Sequence, residues 1–126
     1  MNLETEEGML EYCNTICKKN NWELQKDEQT LNDLIEGLVE NKNRYGYQSC
    51  PCRMASGKRE LDRDIICPCQ YALNNDVQDY GSCYCNLFMK KGFYETHEPE
   101  DIVQVPENRP VEKEKATLDY INEQLE

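Results

Sequence analysis

Six of the eight cysteines in this 126-residue chain lie between residues 50 and 85 as three pairs: Cys50-Pro51-Cys52, Cys67-Pro68-Cys69 and Cys83-Tyr84-Cys85. Thiolates bind soft metals and exchange with disulfides, so this density of sulfur points to metal or redox chemistry. A cubane 4Fe-4S cluster takes four thiolates, one per iron. Three pairs supply that set and leave two cysteines over. Two spare thiols beside a cluster make a dithiol that holds two electrons and gives them up on closing to a disulfide. Zinc is the main inorganic rival, because tetrahedral thiolate sites are common. It gives the two remaining cysteines no task, and proline inside two of the pairs is unlike the spacing of a zinc knuckle. Fourteen residues separate Cys52 from Cys67 and thirteen separate Cys69 from Cys83, loops long enough to wrap a cluster. A plain electron-transfer ferredoxin follows other cysteine spacings.

The elements that must carry these pairs are short. Met9, Leu10, Cys13, Ile16 and Cys17 recur at helical spacing, which predicts an amphipathic helix over residues 4–19. Cys13 and Cys17 fall one turn apart on its inner face and read as small buried hydrophobes, outside the site. Trp22 follows in the connection and is expected to pack between the first two helices. Asp27 is a good N-cap for a second helix with the apolar stripe Leu31, Leu34, Ile35, Leu38 and Val39, ending near Asn41. Residues 45–49 then lead extended into the first pair, since a residue before proline is pushed out of helical geometry. Ser56 is placed to cap a short helix over 58–62, with Leu61 and Ile65 inward. Residues 70–73 read as a helical turn broken at Asn74-Asn75, and 76–80 as one more turn closed by Gly81. Asn86 to Met89 is an apolar stretch beneath the site, helical or irregular. Residues 95–111, with Pro99, Pro106 and Pro110, read as a docked extended segment, and 115–125 as a terminal helix.

Composition limits the class. Mean hydropathy is −0.90, and 38% of residues are hydrophobic against 31% charged, so little apolar surface is available for burial. An internal metal centre would help hold such a chain together. The net charge of −11 is uneven: −6 over residues 1–43, +2 over 44–91 and −7 over 92–126. The cysteine segment is a basic island in an acidic chain. Arg53, Lys58, Arg59 and Arg63 on that island either solvate a helix and its loops or offer a docking patch to a small acidic protein. Nucleic acid is excluded as a partner by the acidic balance. An acidic start without an apolar run predicts no secretory signal, no stretch is long enough to span a membrane, and paired cysteines then suit a reducing cytoplasm.

Cys-Pro-Cys-Arg, then a charged helix, a second Cys-Pro-Cys, then Cys-x-Cys running into Leu87-Phe88, resembles the catalytic chain of ferredoxin:thioredoxin reductase across about residues 45–95. The resemblance implies that Cys50, Cys67, Cys69 and Cys83 hold a 4Fe-4S cluster. It implies that Cys52 and Cys85 form a redox-active disulfide packed against it, with Cys52 the exposed thiol that attacks the target and Cys85 the one that stays near the cluster. Ferredoxin is the implied electron donor, and a thioredoxin-like or glutaredoxin-like protein the disulfide substrate. Tyr84 stands where better-known members have histidine, the first inter-pair loop is shorter and the second longer. These departures suggest an archaeal or anaerobic-bacterial type of ferredoxin:disulfide reductase, with the need for a second subunit left open. His97, the only histidine, is expected to be exposed and away from the site.

The expected fold is mainly α: a small single domain, residues 1–126, of short helices and loops wrapped around the cluster. Residues 1–43 would be its helical N-terminal part, 44–95 the cluster and disulfide site, and 96–126 a docked extended segment and C-terminal helix. A 4Fe-4S electron-relay or binding protein without disulfide chemistry is the alternative from another class.

Overall fold

Helix α1 spans Glu6–Asn20 in the computed structural model, which describes residues 1–126. The Thr5 hydroxyl accepts from the Gly8 N–H at 3.1 Å, so the helix starts at its cap and not at Glu4. Asn21 ends it in the left-handed region at φ 59°. Its inner face buries Met9, Cys13, Ile16 and Cys17.

Helix α2, Glu28–Tyr45, is capped by Asp27, whose carboxylate accepts from the Thr30 N–H at 3.0 Å. Leu34, Ile35 and Leu38 face the core. The helix runs past its expected end at Asn41 and stops only at Gly46, at φ 90°. Asn41 is useful inside it: its amide donates to the Ser49 carbonyl at 2.9 Å and ties the helix to the first cysteine pair.

Two expectations gave way to a small sheet. Strand β1, Trp22–Leu24, pairs antiparallel with β2, Phe88–Lys90, matching Trp22 with Lys90 and Leu24 with Phe88. Trp22 is therefore on a strand, its ring 5.2 Å from that of Phe88, and not wedged between the helices. The stretch after the third pair is a strand because it has a backbone partner 64 to 68 residues earlier, continued by the Gln25 N–H donating to the Leu87 carbonyl at 2.9 Å.

Helix α3, Arg59–Asp62, starts without a side-chain cap. Ser56 instead binds Asp62, whose buried carboxylate accepts from the Ser56 N–H and hydroxyl, the Gly57 N–H and the Tyr47 phenol. The chain from Gln70 does not break at Asn74-Asn75. It widens into a π-turn, Ala72–Asp76, and continues as α4, Val77–Tyr80, closed by Gly81 at φ 81°. The wider turn leaves both asparagines exposed while Ala72, Asp76 and Val77 stay buried.

After the short helix α5, Phe93–Thr96, an extended strap leads to α6, Val111–Leu125. Helix α6 begins four residues before the expected Lys115 because Pro110 presets its entry and Glu112 and Glu114 fill its first turn. Val105 and Arg109 of the strap are buried, whereas Val103 faces solvent. The core is mainly helical in its walls, and one cluster of 17 buried residues joins α1, α2 and β2 to Cys50, Cys67, Cys69 and Cys83. The cysteine site therefore lies inside the core.

Candidate cysteine redox site

Each pair sits in a different local structure, and backbone hydrogen bonds fix all three. The first is a turn closed by the Arg53 N–H donating to the Cys50 carbonyl at 3.3 Å. It is joined to the second pair by the Cys50 N–H on the Ile65 carbonyl at 2.7 Å and the Cys67 N–H on the Gln48 carbonyl at 2.9 Å. Tyr12 of α1 adds its hydroxyl to the Cys67 carbonyl at 3.0 Å. Cys69 stands at the start of the helical run through Tyr80, where the N–H groups of Ala72 and Tyr71 point at its sulfur. The third pair occupies a turn into β2, made by the Asn86 N–H on the Cys83 carbonyl and the Cys83 N–H on the Phe88 carbonyl. Asn86 there has φ 63°, a conformation that asparagine tolerates better than most residues. Gly37 of α2 is the contact that leaves room for the first pair: a Cβ at this position would lie 2.8 Å from the Pro51 Cβ.

The sulfurs converge. Cys50, Cys67, Cys69, Cys83 and Cys85 line one cavity, completed by Ala72, Tyr84 and Phe88. Cys50, Cys67, Cys69 and Cys83 are 3–6% exposed, Cys85 is half-buried, and Cys52 is exposed and outside the cavity lining. Cys85 bridges the two environments. Its sulfur is 3.7 Å from that of Cys83 and interacts with those of Cys50 and Cys52. All these thiols are free. The neighbouring Cys50 and Cys85 sulfurs hold the Cys52 pKa low, with the Arg53 charge adding to the effect. The same closeness to Cys52 raises Cys50 and Cys85 in turn. Burial raises Cys67 and Cys69, while the Cys85 thiol and the N–H groups of Phe88 and Leu87 lower Cys83.

Cys13 and Cys17 are buried as expected, and burial pushes their thiols to about 12 and about 11. His97 is exposed, stacked on Phe93 with ring centroids 4.5 Å apart, and takes no part in the site.

Sequence reasoning misplaced one residue and missed its partners. Arg53, read as part of a solvated or docking face, is 7% exposed. Its Nη1 donates to Glu107 at 2.7 Å and its Nη2 to Asn108 at 3.1 Å, both on the strap. Its guanidinium lies 4.3 Å from the centroid of the Tyr84 ring and 4.8 Å from that of Tyr71. Glu107 is also hydrogen-bonded to the Tyr84 phenol, which burial and this carboxylate raise above its ordinary value. The available signal was a polar Glu-Asn-Arg run held between Pro106 and Pro110.

A cysteine-lined cavity with one exposed thiol at its edge is an arrangement suited to an oxidoreductase that works through sulfur. The chain belongs to the ferredoxin thioredoxin reductase catalytic beta chain family, whose sequence profile matches residues 2–116. It is 29% identical over 86 residues to the ferredoxin-thioredoxin reductase catalytic chain of Guillardia theta, covering 67% of this chain and 79% of that one. It is 30% identical over 88 residues to the catalytic chain of Pyropia yezoensis, with 68% and 72% covered, and 29% identical to that of Porphyra purpurea over 66% and 68%.

The family's cofactor is a 4Fe-4S cluster, and the residues here fit it. Cavity-lining thiols outnumber the four that a cubane needs, and the rest of the lining is Ala72, Phe88 and Tyr84, with no charged side chain. N–H donors are already aimed at sulfur, including the Phe88 N–H at 3.4 Å from the Cys83 Sγ. No helix is long and apolar enough to cross a membrane.

Proposed function

We propose that this chain reduces protein disulfides through a Cys52–Cys85 dithiol, with ferredoxin as electron donor and a thioredoxin-like or glutaredoxin-like protein as acceptor. Cys50, Cys67, Cys69 and Cys83 would hold the 4Fe-4S cluster, which supplies one-electron delivery to a bond that needs two electrons. The observation that carries the reading is the position of Cys85, a half-buried sulfur shared between the cavity and the exposed Cys52.

The residues then divide the work. Two electrons and two protons convert the Cys52–Cys85 disulfide to two thiols. Cys52, exposed and next to the Arg53 charge, attacks one sulfur of the substrate disulfide as its thiolate. A mixed disulfide forms and the first substrate thiolate leaves. Cys85 attacks the Cys52 sulfur, the second substrate thiolate leaves, and the Cys52–Cys85 disulfide returns, ready for two more electrons. Burial of the other four sulfurs excludes substrate from the cluster ligands.

The test is Cys52→Ser in anaerobically reconstituted protein. About four iron and four sulfide per chain should remain, and reduction of a thioredoxin-like disulfide should be lost. Loss of iron in this variant would move Cys52 into the ligand set. Thiol titration is the second readout: mild reduction should yield two new thiols with no loss of iron, and failure to yield them would leave an electron relay without disulfide chemistry.

A further inference from the structure

The geometry points to Arg53 as a positioning residue: it holds a fixed positive charge against the cysteine site, clamped by Glu107 and Asn108 of the strap, and so sets how readily the site accepts an electron. This rests on the proposed ligand reading of Cys50, Cys67, Cys69 and Cys83.

Burying a guanidinium is costly unless its environment compensates, and the Arg53 side chain is 1% exposed. Both Nη atoms are taken by the strap, and both faces are covered by Tyr84 and Tyr71. Its Nε is buried with no partner, so the group is not saturated by its clamp. The charge lies within electrostatic reach of Cys50, Cys52 and Cys69.

Its counter-charges are weak where it matters. The Glu107 side chain is 44% exposed and therefore screened by water. Asp76 stays at 4.0 Å from Nη2, accepts from Asn108 at its Oδ1 and leaves its Oδ2 unpartnered. A positive charge thus persists in a low-dielectric wall of the site, where electrostatic effects are strongest. Nor is a second staple needed to hold the strap. Arg109 already does so through Asp64 and the carbonyls of Met54 and Leu61. What Arg53 adds is charge at the sulfurs.

The experiment uses the full chain, loaded anaerobically, with the midpoint potential of its cluster absorbance measured by mediated titration. Arg53→Met should make reduction harder by about tenfold in the equilibrium constant, about 59 mV for one electron. Glu107→Gln keeps an acceptor for Nη1 but removes the opposing charge, and should shift the potential the other way, by a smaller amount. Arg53→Lys should stay within about twofold of the parent in that constant while losing thermal stability, since it keeps the charge and loses the fork. A purely structural role would move Arg53→Met and Glu107→Gln in the same direction, and that result, or no shift beyond twofold in either, overturns the assignment. If Arg53→Met does not load, the Lys and Gln variants decide. If the parent chain itself takes up no iron and sulfide, the ligand reading falls and the inference with it; a loaded chain with unshifted variants sinks Arg53 alone.

Discussion

Replacing Arg109 with methionine should unfasten the strap. Arg109 is 5% exposed and donates through Nε and Nη2 to the two Asp64 oxygens at 2.9 and 3.1 Å. It also donates to the Met54 and Leu61 carbonyls, each at 3.1 Å. In the variant, Asp64, itself 2% exposed, keeps only the Tyr71 hydroxyl at 2.6 Å. Breaking a buried pair from one side costs about 3–5 kcal/mol, and the two carbonyls add about 1 kcal/mol each before water reaches them. With methionine filling the volume, a loss of about 4 kcal/mol at pH 7 is expected, or a fall in Tm of roughly 15 °C for a chain of this size. The pH dependence supplies the sharper check. Burial would raise the Asp64 carboxyl, but the hydrogen bonds from Arg109 and Tyr71 outweigh it and hold the folded pKa below its ordinary value. A lowered carboxylate contributes stability that is present above about pH 4 and is lost as pH falls through the folded value. Without Arg109 the same carboxyl is buried without its cation and its pKa rises. The deficit of the variant should therefore shrink as pH falls from about 7 to about 4, followed by circular dichroism melts of the loaded protein. A second substitution, Asp64→Leu, should return at least half of the loss. A deficit under about 1 kcal/mol at pH 7, or one that does not change with pH, would refute the reasoning.

Other substitutions test the frame around the sulfurs. Phe88 is 1% exposed, lines the cysteine cavity and packs on Trp22; Phe88→Ala should cost about 3–5 kcal/mol, read from the denaturant midpoint at constant slope. Gly37→Ala would favour an isolated helix by about 1 kcal/mol, yet its new Cβ would meet the rigid Pro51 ring. The variant should lose iron to a chelator faster than the parent and melt lower, and a rise in Tm with unchanged iron retention would contradict the close approach.

Local signals carried much of the fold. The Asp27 cap, the α2 stripe, the Gly81 stop and the inward faces of Cys13 and Cys17 follow from neighbours a few residues away, and the structure keeps them. The strands were hidden because three residues are too few for a period of two to be visible, and because Trp22 and Lys90 meet across the length of the chain. Arg53 was hidden for a related reason. Its type says surface, and only contacts with Glu107 and Asn108, more than 50 residues later, make its burial tolerable. At the site, the grouping of sulfurs was legible from three repeats of one spacing. The division of labour among them rests on the family resemblance and on the exposure of Cys52, and spacing alone carried neither.

The strap has a consequence for how the molecule fails. Between Glu98 and Gln104 the chain is largely exposed, and beyond Asp101 it has neither helix nor strand. One proteolytic nick there would leave every sulfur on the larger fragment while freeing the residues that brace them. Possessing the reactive groups and being fit to use them are thus separable, and a cysteine count or a mass measurement of that fragment would not tell a competent molecule from a spent one.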